Sequence, residues 1–347
     1  MKYSRFLTVL LLAGCAGNSK TETNESSDWT LIPFVKVDEA NPVLEAGDNK
    51  FFCPILKDTV KWDEKDVFNP AAVVKDNKVY MIFRAEDKIG KYAGTSRLGL
   101  AISDDGLHFT KRPAPVFYPD NDSMKTYEWE GGVEDPRIVE SPDGYYVMTY
   151  TAYDGNLARL CLATSNDLEH WSKKGLVLNK DTWSKSGAIV SKRNGERIVA
   201  EKINGKYWMY WGDTDLFIAT SDDLLHWDSD SSKSVLKPRP EMFDSRLVES
   251  GPYALVTDNG ILLLYNGMNL ETGAYCAGQA LFDRNDPAKL VARANDYFMK
   301  PDKPYEITGQ VNQVCFIEGM VPFKGNWYLY YGTADSKIAV AKGPEVR

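Results

Sequence analysis

Histidine is the scarcest functional side chain in this sequence. The 347 residues contain three, at His108, His170 and His226. That leaves no room for a multi-histidine metal centre and confines any Ser-His mechanism to three positions. A basic surplus is also missing: 41 Lys and Arg face 49 Asp and Glu, for a net charge of −8 and a pI near 5.1. This excludes a protein built to neutralise nucleic-acid phosphates. Of the 5 cysteines, no two have C-x-x-C spacing, so a zinc ribbon or a redox motif is not supported. Cys53, Cys161, Cys276 and Cys315 are expected to be buried free thiols, although an oxidising compartment would permit a disulfide. Sustained helical periodicity is absent.

What is present begins with an address. Lys2 and Arg5 precede a short apolar stretch at 6–12, too short to span a bilayer as a permanent helix. The stretch ends in Leu12-Ala13-Gly14-Cys15, which is similar to a bacterial lipobox, with Cys15 as the lipidated residue. Residues 1–14 are therefore expected to be a lipoprotein signal peptide and 15–30 a flexible tether. The expectation is a lipid-anchored protein of the bacterial envelope, on the periplasmic side, meeting the membrane only through Cys15.

Three later segments nearly superimpose: Leu100-Ala-Ile-Ser-Asp-Asp-Gly-Leu-His108-Phe109, Leu162-Ala-Thr-Ser-Asn-Asp-Leu-Glu-His170-Trp171 and Ile218-Ala-Thr-Ser-Asp-Asp-Leu-Leu-His226-Trp227. Each follows a β-branched and aromatic run. Two further runs, around Leu262 and Tyr328, share that first half. Equivalent positions Tyr80, Tyr146, Trp208, Leu262 and Tyr328 are 66, 62, 54 and 66 residues apart. Short strands in a long period, separated by turns such as Asp76-Asn77, Asn204-Gly205 and Lys324-Gly325, predict an all-β radial array. Five units of four strands make a five-bladed β-propeller over residues 31–347, with the active site in its central channel. A residue recurring at one place in three blades serves the blade, so the histidines are expected to cap their turns.

Function is sought outside the repeat. The strongest insert is Trp129-Glu130-Gly131-Gly132-Val133-Glu134-Asp135-Pro136-Arg137. Two glycines free the backbone, two carboxylates follow, and Arg137 can hold a carboxylate or a sugar hydroxyl. Phe68-Asn69-Pro70, Phe83-Arg84-Ala85-Glu86-Asp87 and Tyr331-Gly332-Thr333-Ala334-Asp335 end other strands in polar groups. Such groups are costly to bury without partners and are expected to line a wet channel.

These strings, together with Ala200-Glu201-Lys202-Ile203-Asn204-Gly205-Lys206-Tyr207, resemble the motifs of glycoside hydrolase family 130 over residues 60–342. The resemblance implies a five-bladed propeller acting on β-mannosides with inversion, as a phosphorylase or a hydrolase. It makes Asp135 the general acid, working through a substrate hydroxyl. Asn69, Arg84 and Asp335 would hold the mannose, with Asp87 nearby and Glu134 and Arg137 completing the substrate-binding candidates. No metal and no cofactor is implied.

The departures from the phosphorylase pattern favour water as the attacker. Tyr265-Asn266-Gly267 stands where phosphorylases carry Tyr-His-Gly, and Trp211-Gly212-Asp213 where they carry a His-Arg pair. Arg246 takes the approximate place of a phosphate-contacting Lys. Two added carboxylates, Glu249 in Val248-Glu249-Ser250-Gly251-Pro252 and Glu318 in Phe316-Ile317-Glu318-Gly319-Met320, make a poor phosphate cradle. Both are candidate bases for hydrolysis of β-1,2-linked manno-oligosaccharides. Two alternatives stay open: a phosphorylase holding phosphate with Arg246, Lys202 and Arg159, and a non-catalytic glycan-binding lipoprotein.

Overall fold

The expected strand runs fold into antiparallel meanders. The structure, a computed structural model, describes residues 29–345; the expected leader and Cys15 lie outside them. The first sheet consists of Asp66–Lys75, Lys78–Glu86, Ser96–Ser103 and Thr110–Lys111. The second follows with Gly132–Glu140, Tyr146–Tyr153, Ala158–Ser165 and Ser172–Leu176. In the third, Ala188–Asn194 pairs with Tyr207–Trp211, which continues to Phe217–Ser221 and Trp227–Ser229. An extra strand, Arg197–Ala200, folds back on Ala188–Asn194. Leu247–Thr257, Gly260–Met268, Tyr275–Phe282 and Leu290–Arg293 form the fourth. The fifth joins Cys315–Phe323, Asn326–Thr333 and Lys337–Glu345 to a strand from the other end of the chain, Val35–Lys36. Among the described residues, α-helix is limited to the single turns Lys125–Glu128 and Pro304–Ile307, so the all-β reading holds.

Tight turns explain the hairpins. Asp76-Asn77 and Lys324-Gly325 have positive φ at both positions, the geometry that matches the twist of a two-residue hairpin.

The second strands of the sheets are largely apolar on both sides because neighbouring sheets cover both of their faces. Side chains alternate along a strand. In the first sheet Met81 and Phe83 pack with Tyr328 and Tyr330 of the fifth, whereas Ile82 turns to Met148 and Tyr150 of the second. Leu262 and Leu264 share a cluster with Met209 and Trp211 and with Leu329 and Tyr331, while Ile261, Leu263 and Tyr265 join Tyr210. Each fully buried side chain of this size stabilises the fold by about 1.5–3 kcal/mol relative to leaving it exposed. The four cysteines at 53, 161, 276 and 315 are buried and unpaired within these layers, as expected.

Lys36, on the strand that completes the fifth sheet, places its ammonium 2.7 Å from both Glu306 and Asp302. Glu306 also accepts the Tyr331 hydroxyl at 2.9 Å. The beginning of the described chain is thus stitched to its last sheet by a strand pairing and a buried charge network.

The first strands lie side by side at the centre; Val190 pairs in parallel with Ala254, for example. Four of them shift register near their start: between Phe68 and Pro70, Glu134 and Arg137, Ser250 and Ala254, and Ile317 and Gly319. Bulges of this kind re-aim side chains. Asn69, Asp135 and Ser186 hold φ of 46°, 48° and 57°, left-handed conformations that concentrate at functional sites.

The three histidines do not cap their turns as expected; an aspartate three residues earlier does so, and the histidine only pairs with it. Asp105, Asp167 and Asp223 each accept the backbone N–H of the histidine three residues on, and each meets that histidine's Nδ1 at 2.7–2.8 Å. The imidazoles themselves are exposed.

Candidate active site

The bulged strand starts converge on Asp135. Asn69 Nδ2 donates to Asp135 Oδ1 at 2.9 Å and Arg84 Nη1 donates to the same oxygen at 3.1 Å. Lys185 Nζ stands 3.3 Å from Oδ2. Arg84 is a hub: Nη2 reaches Glu86 at 2.8 Å and Glu134 at 3.0 Å, and Nε donates to Ser96 Oγ. Its guanidinium lies over the Phe68 ring at 4.6 Å. Asn69 is pressed against Gly332, where a Cβ would meet Asn69 Oδ1 at 2.2 Å. Only glycine in Tyr331-Gly332-Thr333 allows this approach.

Charge separates the carboxylates. Burial pushes Asp135 up, but Lys185, Arg84 and the Asn69 hydrogen bond outweigh it and hold the carboxyl well below its ordinary range. For Glu134 burial wins over Arg84 and Lys185, helped by Asp135 next to it, and its pKa is raised. Asp335 is pushed up to about 7, mainly by burial, with Arg84 pulling back. Lys185 is desolvated, yet Asp135, Glu134 and Glu249 keep it firmly protonated. Two neighbouring carboxyl groups with opposite shifts are what like charges in one pocket impose.

Glu249 and Glu318 form the other wall. Glu249 is 5% exposed and accepts a hydrogen bond from Ser186 Oγ. Burial pushes it up to about 7 against the pull of Lys185, and Asp213 adds to the rise. Glu318 is 1% exposed. Arg137 Nη1 approaches its Oε1 at 2.9 Å, yet neither oxygen gains an aligned hydrogen bond. Burial raises its pKa well above the ordinary value, only partly offset by Arg137.

The structure thus brings together Asn69, Arg84, Glu134, Asp135, Glu249, Glu318 and Asp335. Other expected site residues have different tasks. Arg137 is buried and donates to the backbone carbonyls of Ser250 and Gly251, so it positions the strands and Glu318 and does not face a sugar. Asp87 accepts from the N–H groups of Ile89, Gly90 and Thr95 and from Arg97 at 2.6 Å; its oxygens organise a loop. Arg159 is engaged by Asp154 and the Lys180 carbonyl. Lys202 lies over the Tyr207 ring at 4.8 Å, at the turn end of the third sheet and away from the bulges. Arg246 is exposed, near enough to Tyr275 to offset slightly the rise that burial imposes on that hydroxyl, and does not pair with Glu249.

Sequence reasoning missed Lys185 and Ser186, and read Glu86 only as part of a charged strand end. Lys185 and Ser186 lie just before the inner strand Ala188–Asn194, whereas Asn69 and Asp135 sit at bulges within theirs; the left-handed φ that Ser186 shares with them is not legible in the sequence. Asn266, standing where a phosphorylase histidine was expected, exchanges two hydrogen bonds with the Ile317 backbone at 2.8 and 3.0 Å. It holds the bulge carrying Glu318.

Comparison with known proteins gives the family. The model of glycoside hydrolase family 130, described as β-1,4-mannooligosaccharide phosphorylase, matches residues 47–347. A 1,2-β-oligomannan phosphorylase from Thermoanaerobacter sp. (strain X514) is 36% identical over 290 residues, covering 81% of this chain and 90% of its own. The crystal structure of a glycosyl hydrolase from Bacteroides ovatus superimposes with a TM-score of 0.89 at 45% identity, over 92% of this chain and 96% of that one. A further structure, from work on family members that hydrolyse β-1,2 mannosidic linkages in Candida mannan, has a TM-score of 0.88 at 44% identity and covers 91% and 95% of the two chains. The chain belongs to glycoside hydrolase family 130, an enzyme family acting on β-mannosides.

Proposed function

We propose that this protein is an inverting β-mannosidase that releases mannose from β-1,2-linked manno-oligosaccharides by hydrolysis, with its five sheets as the blades of a propeller around the site. The observation that carries the choice of water is the state of the cations. Arg84 is shared among Glu86, Glu134 and Asp135, Lys185 is held by Asp135, and Arg137 faces Glu318. A phosphate cradle needs cations free to meet a dianion, and Arg84, Lys185 and Arg137 already face carboxylates.

In this reading Asn69, Arg84 and Asp335 hold the sugar. Glu249, with a pKa near neutrality, suits a general base; Glu318 and Arg137 hold the opposite wall. Water bonds to the anomeric carbon as the bond to the leaving oxygen breaks. Glu249 takes the proton from water, and Asp135 protonates the leaving oxygen through a sugar hydroxyl. Asp135 is ionised in the free protein, so the arriving sugar must displace Lys185 and let Asp135 take up a proton from solvent. The sugar hydroxyl then passes that proton to the leaving oxygen, while Glu249 later returns the water proton to solvent. Lipidation of Cys15 would anchor the enzyme in the envelope, where hydrolysis needs no intracellular phosphate.

Product analysis tests the reaction. Mannose formed at the same rate with and without phosphate is the expected outcome; mannose 1-phosphate formed only with phosphate would refute it. The competing phosphorylase reading draws on the names of relatives and on Arg246, exposed near the site.

A further inference from the structure

The tryptophans of this chain serve packing with one exception. Among nine, Trp183 alone is exposed, at 49%, whereas Trp62, Trp211, Trp227 and Trp327 are buried. It sits two residues before Lys185, on the segment that reaches Asp135.

That segment is fixed on both sides. Ser184 N–H donates to the Ala158 carbonyl, and Leu160 N–H donates to Ser184 Oγ. Gly212 N–H donates to the Lys185 carbonyl at 2.9 Å. Trp183 Nε1 donates to Asp213 Oδ2 at 2.8 Å, and Asp213 is near enough to Glu249 to raise its pKa. The indole's single polar group is therefore occupied and its orientation set, which leaves a flat apolar face open at the mouth of the site. Tyr153, whose strand partner is Ala158, continues the same rim, with Tyr92 edge-on to it at 6.2 Å.

Asp135 and Glu249 are 3% and 5% exposed, whereas Trp183 stands open to solvent, so a chain held at the carboxylates would continue outward past the indole. A pyranose presents C–H groups on one face and hydroxyls at its edge. A fixed aromatic face beside a carboxylate matches that pattern, the ring taking the C–H groups and Asp213 a hydroxyl.

We propose that Trp183 is the platform for the sugar adjoining the one held at Asp135, so that it sets the preference of the site for oligosaccharides over mannose. This rests on the mannoside reading above. An aromatic contact also explains why a bulky apolar ring is tethered in solvent instead of joining a core.

The test uses the Asp135→Asn protein, which binds without cleaving, titrated calorimetrically with mannose, β-1,2-mannobiose and β-1,2-mannotriose. Adding Trp183→Ala should weaken both oligosaccharides about tenfold, the worth of one stacked aromatic face, and leave mannose affinity as it was. Trp183→Phe, which keeps a flat face, should restore most of the loss. Unchanged oligosaccharide affinity in Trp183→Ala overturns the proposal. So does an equal loss for mannose, which would mark collapse of the Lys185 segment. If the Asp135→Asn protein with Trp183 intact binds none of the three sugars, the mannoside reading itself fails and the platform falls with it.

Discussion

Carboxylates are used in two opposite ways in this molecule. In the histidine turns, Asp105, Asp167 and Asp223 face water. The slight burial there pushes their pKa values up, but the histidine and the turn N–H groups outweigh it and hold all three below the ordinary range. In the site, Glu249 and Glu318 near the strand starts and Asp335 in the turn after Asn326–Thr333 have few or no aligned donors, and burial pushes all three up. The turns satisfy each charge locally, within a few residues. The site leaves charges unsatisfied and relies on distant segments of the chain to tolerate them. Groups so perturbed beside a specific charge partner are where proton transfer is expected.

Asp135 crosses that division, being a site residue held ionised like a turn residue, and it offers the sharpest way to break the comparison. Asp135→Asn should lower kcat by about 10²–10⁴-fold, the range for loss of a general acid. Oligosaccharide binding should persist, as measured by titration. A binding module would show no turnover in either form.

Glu249→Gln comes next. Activity should fall by about 10²-fold or more if Glu249 is the base. In the parent, kcat/KM should rise with pH through about 7 as Glu249 ionises, and that limb should vanish in the variant. Stability should move the other way. Because the folded pKa is raised, the native state keeps a proton that the unfolded chain has lost, so stability falls as pH rises from the ordinary glutamate range through about 7. The variant escapes this penalty. Thermal unfolding should show a gain of about 1–3 kcal/mol at pH 8 and almost none at pH 5. A loss at both values would mean that the Ser186 contact matters more than the buried charge.

The repeat was legible because it is local. Strand runs such as Tyr207–Trp211 and the Ser-Asp/Asn-Asp turns announce themselves within ten residues. Asp135 was legible for a different reason: its glycine-rich, proline-stiffened string has no counterpart in the other blades. Lys185 carried no such mark. It lies between two serines, and its partners Asp135 and Glu249 are 50 and 64 positions away, so only the assembled sheets give it a role. Lys202 misled for a related reason. The third sheet inserts Arg197–Ala200, which carries Lys202 to the turn end although its motif suggested the site. Charge was readable at Asp87 and Arg137, but direction was not. Both side chains point to backbone groups that no one-dimensional pattern identifies.

The smallest effects should come from the turns. Asp223 accepts the N–H groups of Leu225 and His226 and the His226 ring, an arrangement like a helix N-cap. Asp223→Ala should cost about 1 kcal/mol, as loss of such a cap does, with kcat/KM unchanged. His226→Ala should cost less, because the imidazole is exposed and its pairing with Asp223 is screened by solvent, while the N–H groups keep their acceptor. The order matters more than the sizes: if His226→Ala destabilised the protein more than Asp223→Ala, the histidine would be organising the turn and the aspartate following it. A fall in kcat/KM with either variant would break the comparison altogether, since it would couple a solvent-facing, locally satisfied turn to the buried carboxylates at the strand starts.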